Sequence, residues 1–125
     1  MQFPLIGTVA LAMTTLVATA VWAAGDVSRG KEIFLRTCIN CHSTEIGVNK
    51  IGPSLHGVVG REVAIVPDFI YSDALKATRK TWTEAELDAY LADPRGAMHG
   101  VKMFFKGLPD ADQRADVIAY LKTLN

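Results

Sequence analysis

The sequence predicts an all-α domain, because apolar residues recur at helical spacing in several segments and no alternating strand pattern accompanies them. The chain has 125 residues, of which 50% are hydrophobic and 21% are charged, a composition typical of a single globular domain. Glycines and prolines mark the middle of the chain as loop, at Pro53, Gly57, Gly60 and Pro67. We therefore expect three to five helices joined by loops, without internal repeats.

A first helix is predicted to begin after Asp26, which can serve as its cap, and to run to about Thr37. Its apolar stripe is notched by Gly30, where the missing side chain permits another helix to come close. The last segment of the chain is the expected partner. There, Asp110 and Gln113 form a capping box ahead of helically spaced apolar residues that continue to the C-terminus.

Two shorter helices are predicted between these. A capping box from Thr83 to Glu86 opens the first, and Pro94 ends it because proline disfavours helical backbone at the preceding residue. The segment from Ser72 to Lys76 is predicted to form the second, of about one turn.

The N-terminal segment carries no charged side chain, because every Lys, Arg, Asp and Glu lies at or after Asp26. It is apolar from Phe3 to Ala24, which exceeds the usual signal-peptide core of about 7–15 residues and matches the ~20 residues that span a bilayer. We predict that residues 1–23 are a signal peptide or an uncleaved membrane anchor. Residues 24–125 then form a domain exported to the bacterial periplasm, either free or tethered to the inner membrane.

The charge balance bears on the class of partner. Thirteen Lys and Arg residues match thirteen Asp and Glu residues, so the formal net charge is zero. A nucleic-acid-binding protein needs a basic face to neutralise phosphates, and this composition excludes that class.

The two cysteines stand in the run Cys38-Ile39-Asn40-Cys41-His42. This C-x-x-C-H spacing is the signature of c-type haem attachment, in which two thiols one turn apart add to the haem vinyl groups and the adjacent imidazole meets the iron. The alternatives are a disulfide, a thioredoxin-like redox pair and a zinc half-site. A thioredoxin-like pair would need a βαβ pattern and a zinc site a second ligand pair, and the sequence has neither.

The sixth position of the iron decides between an electron carrier and a haem enzyme or gas sensor. Met103 is the favoured ligand, because it lies in an extended loop bounded by Gly100 and Gly107. Met98, His99 and an open site are the alternatives. His56 is interpreted as a structural loop histidine bonded to backbone.

These motifs together resemble class I c-type cytochromes of the mitochondrial and bacterial monohaem type, over the whole exported part. Beyond the haem motif, the matching blocks follow in order: Gly25-Asp26-Val27, Gly52-Pro53-Ser54-Leu55-His56-Gly57, Gly60-Arg61, Phe69-Ile70-Tyr71-Ser72-Asp73-Ala74, Trp82, Tyr90-Leu91, Asp93-Pro94, Lys102-Met103-Phe104-Phe105-Lys106-Gly107 and Arg114 to Lys122.

The resemblance implies a small cytochrome c fold with helices wrapped round one covalently attached haem c. It implies that Cys38 and Cys41 form the thioethers and that His42 and Met103 ligate the iron. It also implies that the Pro53 carbonyl holds the His42 ring, and that four further side chains line the haem: Arg61, Tyr71 and Trp82 around the propionates and Tyr90 beside the methionine sulfur.

Three residues depart from the family pattern. Leu75 stands where an asparagine is common, Val101 where a threonine bonds a propionate, and His99 where a proline is usual. Each change alters a contact around the haem.

The resemblance predicts a one-electron carrier and not an enzyme, a monomer that exchanges electrons with redox proteins such as a quinol-oxidising complex, a dehydrogenase or a terminal oxidase. The lysine ring of mitochondrial members is diluted, with Lys50, Arg95, Lys102 and Lys106 retained. The alternatives are an electron-entry subunit of a larger dehydrogenase complex and a haem peroxidase or gas sensor with a labile sixth ligand.

Overall fold

Residues 24–125 are described by a computed structural model, and they form an all-helical domain as predicted. Five helices follow one another in the chain: α1 (Val27–Thr37), α2 (Asp73–Ala77), α3 (Glu84–Ala92), α4 (Pro94–Ala97) and α5 (Ala111–Leu121). The extended pairing within these residues is limited to an isolated antiparallel bridge between Glu62 and Thr81.

The predicted caps Asp26, Thr83 and Asp110 begin their helices, and Ser72, predicted to lie within the shortest helix, is instead its cap. The side chains of Asp26, Ser72, Thr83 and Asp110 each accept a hydrogen bond from the backbone N–H three residues later, at the starts of α1, α2, α3 and α5. Each cap satisfies one N–H that has no partner inside the helix, which is why these residue types fix where a helix starts.

Two helix boundaries differ from the prediction. Pro94 ends α3 but also opens α4, because proline suits the first helical position and the Asp93 carboxylate accepts the Gly96 N–H. At the C-terminus α5 ends at Leu121, and the Leu124 carbonyl instead accepts the Gly57 N–H at 2.5 Å. The chain therefore leaves the helix to pair with a distant loop.

Helices α1 and α5 pack closely at Gly30, as the notch in the stripe predicts. A Cβ atom at Gly30 would overlap the carbonyl oxygen of Asp116 in α5. The two helices contribute most of the central apolar cluster, which consists of Ile33, Phe34, Val58, Leu108, Val117 and Leu121. This cluster supports one side of the loops that follow α1.

The prediction for residues 1–23 lies outside the described part of the chain. Within residues 24–125, no helix is long and apolar enough to cross a bilayer.

Candidate haem site

Cys38, Cys41 and His42 lie on one turn immediately after α1. The backbone N–H groups of Cys41 and His42 both donate to the Cys38 carbonyl, at 3.1 and 2.9 Å. Both cysteines are free, half-buried thiols. Burial, with a smaller effect of Cys41, raises the pKa of the Cys38 thiol to about 11. A redox-active C-x-x-C pair needs a lowered thiol pKa, so this environment disfavours the thioredoxin-like alternative.

The His42 ring is held by the carbonyl oxygen of Pro53, 2.7 Å from Nδ1. A carbonyl can only accept, so Nδ1 carries the proton and Nε2 is left as the free lone-pair nitrogen. Burial lowers the pKa of His42, an effect that the Pro53 hydrogen bond opposes and that Arg61 and Lys50 reinforce. The ring is thus neutral and oriented, which is the state that a metal-ligating histidine requires.

Gly52 is a further residue of this site, and its role is not evident from the sequence alone. Its N–H donates to the Cys41 carbonyl at 2.7 Å, and a Cβ at this position would overlap the His42 ring. Only a residue without a side chain permits the loop to lie flat against the imidazole. The sequence signal that could have indicated this role is the Gly52-Pro53 dipeptide. The Pro53 carbonyl accepts the hydrogen bond from His42, and Gly52 leaves room for the imidazole ring.

Arg61 has a buried nitrogen that lacks a partner within residues 24–125. Its Nη1 donates to the carbonyls of Ser54 and His56, at 2.9 and 2.8 Å, whereas its buried Nε makes no hydrogen bond. Burial lowers the pKa of the guanidinium, an effect that Tyr71 opposes. A buried unpaired N–H of a cation calls for an anionic acceptor, and a carboxylate such as a haem propionate fits. His56 itself places Nδ1 3.3 Å from the Thr44 carbonyl, in a loop contact as expected.

Of the aromatic residues implied by the resemblance, Trp82 and Tyr71 lie close to Arg61, and Tyr90 packs against Trp82. The Trp82 backbone N–H donates to the Arg61 carbonyl at 2.8 Å, and the Trp82 and Tyr90 ring centroids are 5.0 Å apart. The Tyr71 hydroxyl accepts the Val66 N–H at 3.2 Å. Burial raises the pKa of both Tyr71 and Tyr90, so both phenols stay protonated at neutral pH and can donate hydrogen bonds.

Met103 lies on an extended strap between α4 and α5. Exposure alternates along the strap: Val101, Met103 and Phe105 are half-buried, and Lys102, Phe104 and Lys106 are exposed. Phe105 packs against the central cluster, so the half-buried side of the strap faces the protein. Residues 99–107 make no backbone hydrogen bond with the rest of the described chain, and the strap is fastened again where the Leu108 N–H donates to the Leu91 carbonyl at 2.7 Å.

The side chains that the structure brings together suit a covalent haem. Two thiols on one turn match the two vinyl groups, and a neutral imidazole follows directly in sequence. Arg61 Nε has no hydrogen-bond partner among the described residues and can donate to an anion. The thioether of Met103 lies on the half-buried side of the strap. These features define the class of protein, one that attaches a haem through a C-x-x-C-H turn.

Comparisons with known proteins are in agreement. The family model for cytochrome c matches residues 27–125. Cytochrome cy of Rhodobacter capsulatus is 49% identical over 100 residues, which cover 80% of this chain and 50% of that protein. Cytochrome c2 of Rhodopila globiformis is 46% identical over 100 residues, 80% of this chain and 94% of its own length. The solved structure of cytochrome cH from Methylobacterium extorquens superposes with a TM-score of 0.74 at 41% identity, covering 79% of this chain and 99% of that one.

The chain belongs to the cytochrome c family, and it carries one covalently bound haem c. The helical fold and the resemblance inferred from the sequence are thereby confirmed. Electron transport is the function of this family, and it is the function of this chain. The chain spans half the length of cytochrome cy but nearly the full length of cytochromes c2 and cH.

Proposed function

We propose that this protein is an exported one-electron carrier whose haem is attached to Cys38 and Cys41 and ligated by His42 and Met103. The observation that carries the proposal is the 2.7 Å contact between His42 Nδ1 and the Pro53 carbonyl. It fixes the tautomer whose Nε2 is free to bind iron, beside two free thiols. The haem supplies the one-electron ferrous/ferric couple.

The chain's own residues keep that couple in a constant environment. Pro53 and Gly52 hold the His42 ring in one orientation, and Arg61 offers its unpaired Nε to a propionate carboxylate. The Trp82 and Tyr90 rings pack in a tilted arrangement, with centroids 5.0 Å apart, beside this region. A methionine ligand raises the potential relative to other axial pairs. A fixed ligand set is what an electron carrier needs, whereas a peroxidase or gas sensor needs a vacant sixth position.

The ligand assignment is tested on the purified holoprotein with two methionine variants. We expect the ferric charge-transfer band of methionine ligation in the wild type and in Met98→Leu, and its loss in Met103→Ala, because only Met103 lies on the inward side of the strap. Met98 is a matched control, since it is also a half-buried thioether five residues earlier in the chain. Loss of the band in Met98→Leu alone would assign the ligand to Met98.

The Met103→Ala variant also tests whether His99 can replace Met103 as an iron ligand. In Met103→Ala, a low-spin histidine-ligated spectrum that disappears in Met103→Ala/His99→Ala would identify His99 as the replacing ligand. Rapid carbon monoxide binding to the reduced wild-type protein would instead favour the sensor or peroxidase alternative.

For residues 1–23, we propose an export signal or anchor that delivers residues 24–125 to the periplasm. The uncharged apolar run from Phe3 to Ala24 supports this. The intact mass of the haem-bearing protein, measured after membrane fractionation, distinguishes the outcomes. A soluble species beginning at Ala24 means a cleaved signal, a membrane species with the full mass means a tether, and a full-mass cytoplasmic species contradicts export. The partners we propose are a quinol-oxidising complex or dehydrogenase as donor and a terminal oxidase as acceptor.

A further inference from the structure

We infer that Arg114 is a positioning residue for Met103: its guanidinium fixes the end of the strap that leads into α5, and this keeps the thioether at the iron. Asp88 in α3 holds the guanidinium in place. The inference rests on the proposed ligation by Met103 and names the contact that maintains it.

The strap depends mainly on its ends for its position. Residues 99–107 make no backbone hydrogen bond with the rest of the described chain, so no neighbouring strand or helix fixes the path of Met103. Phe105 packs against the central cluster, and the chain is bound again at Leu108. A segment held in this way gains conformational freedom when one of its ends is released. The end at Leu108 therefore bears on where the Met103 thioether lies.

That end of the strap packs against the last turn of α3. The Leu108 N–H donates to the Leu91 carbonyl at 2.7 Å, and the Leu108 side chain is buried in the central cluster. Gly107 has a φ of 105°, and a Cβ atom there would overlap the carbonyl oxygen of Ala92. The backbone of the strap thus meets α3 without room for a side chain. Its position depends on how α3 and the start of α5 are held together.

Arg114 makes that connection. It lies one turn into α5, and its Nη1 donates to the carbonyl oxygens of Leu108 and Pro109, at 2.8 and 2.9 Å. Its Nε donates to Asp88 Oδ1 in α3 at 2.7 Å. One planar guanidinium therefore joins α3, α5 and the two residues that follow the strap. The single ammonium of a lysine cannot reproduce this set of contacts.

The ion pair between Arg114 and Asp88 is shielded from solvent. Their side chains are 13% and 29% exposed, and among the ion pairs of residues 24–125 this is the one in which both partners are less than one third exposed. Water and salt screen such a pair less than they screen a surface pair. Removal of one partner leaves the other charge half-buried and without its counter-ion, which costs more than the loss of an exposed pair. The contact is thus suited to hold the strap end firmly.

A firmly held strap end keeps the iron ligands constant. An added ligand such as imidazole binds only to molecules in which Met103 has left the iron, so its apparent dissociation constant is inversely proportional to the fraction of such molecules. Titration of the ferric holoprotein with imidazole therefore measures how well the strap is held.

The test follows the charge-transfer band of methionine ligation during this titration. We expect Arg114→Met, which removes the hydrogen bonds but keeps an unbranched side chain, to lower the apparent dissociation constant of imidazole about tenfold, as expected for the loss of hydrogen bonds to a charged group. Arg114→Lys should give an intermediate value. Asp88→Asn should give a smaller decrease, and Asp88→Asn/Arg114→Met should match Arg114→Met alone, because Asp88 acts through Arg114.

Lys122→Met is the matched control. Lys122, just after α5, pairs with Glu84 in α3 at 3.0 Å, so this ion pair joins the same two helices but includes no residue of the strap. Its imidazole dissociation constant should stay within about twofold of the wild-type value, because the pair is exposed. Urea unfolding of both variants separates a general loss of stability from a loosened strap.

Equal imidazole affinities in Arg114→Met and Lys122→Met would overturn the inference, as would a lower free energy of unfolding in Arg114→Met with the imidazole affinity of the wild type. Both outcomes leave the ligation by Met103 intact. Absence of the methionine band from the ferric wild type would instead contradict the ligand assignment, and the inference would fail with it. If Arg114→Met does not fold, Asp88→Asn decides, because it leaves Arg114 its two carbonyl contacts.

Discussion

At the scale of single residues, the orientation of the His42 ring depends on the absence of a side chain at Gly52 as well as on its hydrogen bond. Gly52 has no side chain where a Cβ would overlap the His42 imidazole, and its N–H is bonded to the Cys41 carbonyl. The imidazole orientation is therefore set by three neighbours at once: the carbonyl of Pro53, the bare backbone of Gly52 and the turn from Cys38.

Gly52→Ala tests this arrangement. We expect the methyl group to push the His42 ring away from the Pro53 carbonyl, weakening iron ligation and lowering the free energy of unfolding by about 1–3 kcal/mol, as overpacking does. The ferric absorption spectrum and urea unfolding of the holoprotein measure the two effects. Gly47→Ala is the control, because Gly47 has a positive φ and open space around it. It should cost stability through backbone strain while leaving the haem spectrum unchanged.

From the sequence, Cys38, Cys41, His42 and Met103 are predicted to hold the haem, whereas Gly52 is given no role, and the reason for the difference is physical. Cys38, Cys41 and His42 are recognisable because the chemistry demands those atoms at fixed spacing. The role of Gly52 depends on its lying against the His42 ring, and the path of the loop decides whether it does so. Arg61 is intermediate: the resemblance implied a place near the propionates, but only the structure shows that Nε is the nitrogen left without a partner among the described residues.

At the scale of helices, α1 and α5 are joined by a close contact and by one carboxylate. Gly30 permits the close approach, and the buried Asp116 in α5 accepts hydrogen bonds from the Asp26 N–H at 2.6 Å and from Arg29 Nε at 2.9 Å. Helix starts were predictable because a cap and its N–H lie three residues apart. The role of Asp116 was not predictable, because the backbone N–H of Asp26 that it binds lies 90 residues away in the sequence.

The Asp116 contact predicts a pH dependence of stability. Its hydrogen bond from Arg29, with further help from the Asp26 N–H, lowers the pKa of Asp116 below its ordinary value. A lowered carboxyl pKa in the folded state stabilises the protein above the unfolded-state pKa, near 3.9, and that stabilisation disappears as pH falls through the lower folded-state pKa. Arg29 is 67% exposed, so solvent screens its charge and the hydrogen bond to the Asp26 backbone carries a large share.

Asp116→Asn isolates this contribution. We expect the variant to lose about 1–3 kcal/mol of unfolding free energy at neutral pH, the usual worth of hydrogen bonds to a charged group. Below about pH 4 the difference from the wild type should shrink, because the carboxyl is protonated first in the unfolded state, and it should vanish once the pH falls below the lower folded-state pKa. Urea unfolding at several pH values measures both. Asp112→Asn, on the exposed side of the same helix, is the control, and an equal loss in both variants at every pH would contradict the assignment.

At the scale of the whole molecule, the interior of the protein chain is small for its length. The central cluster has six buried hydrophobic residues, and the partly buried residues around it include Cys38, Trp82 and Phe105, which belong to the haem site or its strap. The five helices are short, and the strap from His99 to Gly107 has no backbone hydrogen bond to residues 24–125. The haem is therefore the largest apolar body around which these segments can pack.

This dependence predicts that the chain does not fold stably without covalent haem. We expect Cys38→Ala/Cys41→Ala, which cannot form either thioether, to lose most of the helical far-UV circular dichroism of the holoprotein and its cooperative unfolding. The reason is that a domain of about 100 residues with a depleted core does not offset the entropy of ordering its chain. Cys41→Ala, which retains one thioether, should keep the fold with reduced stability. A double variant with wild-type helix content and a cooperative transition would contradict the prediction, and would mean that α1, α3 and α5 carry the fold by themselves.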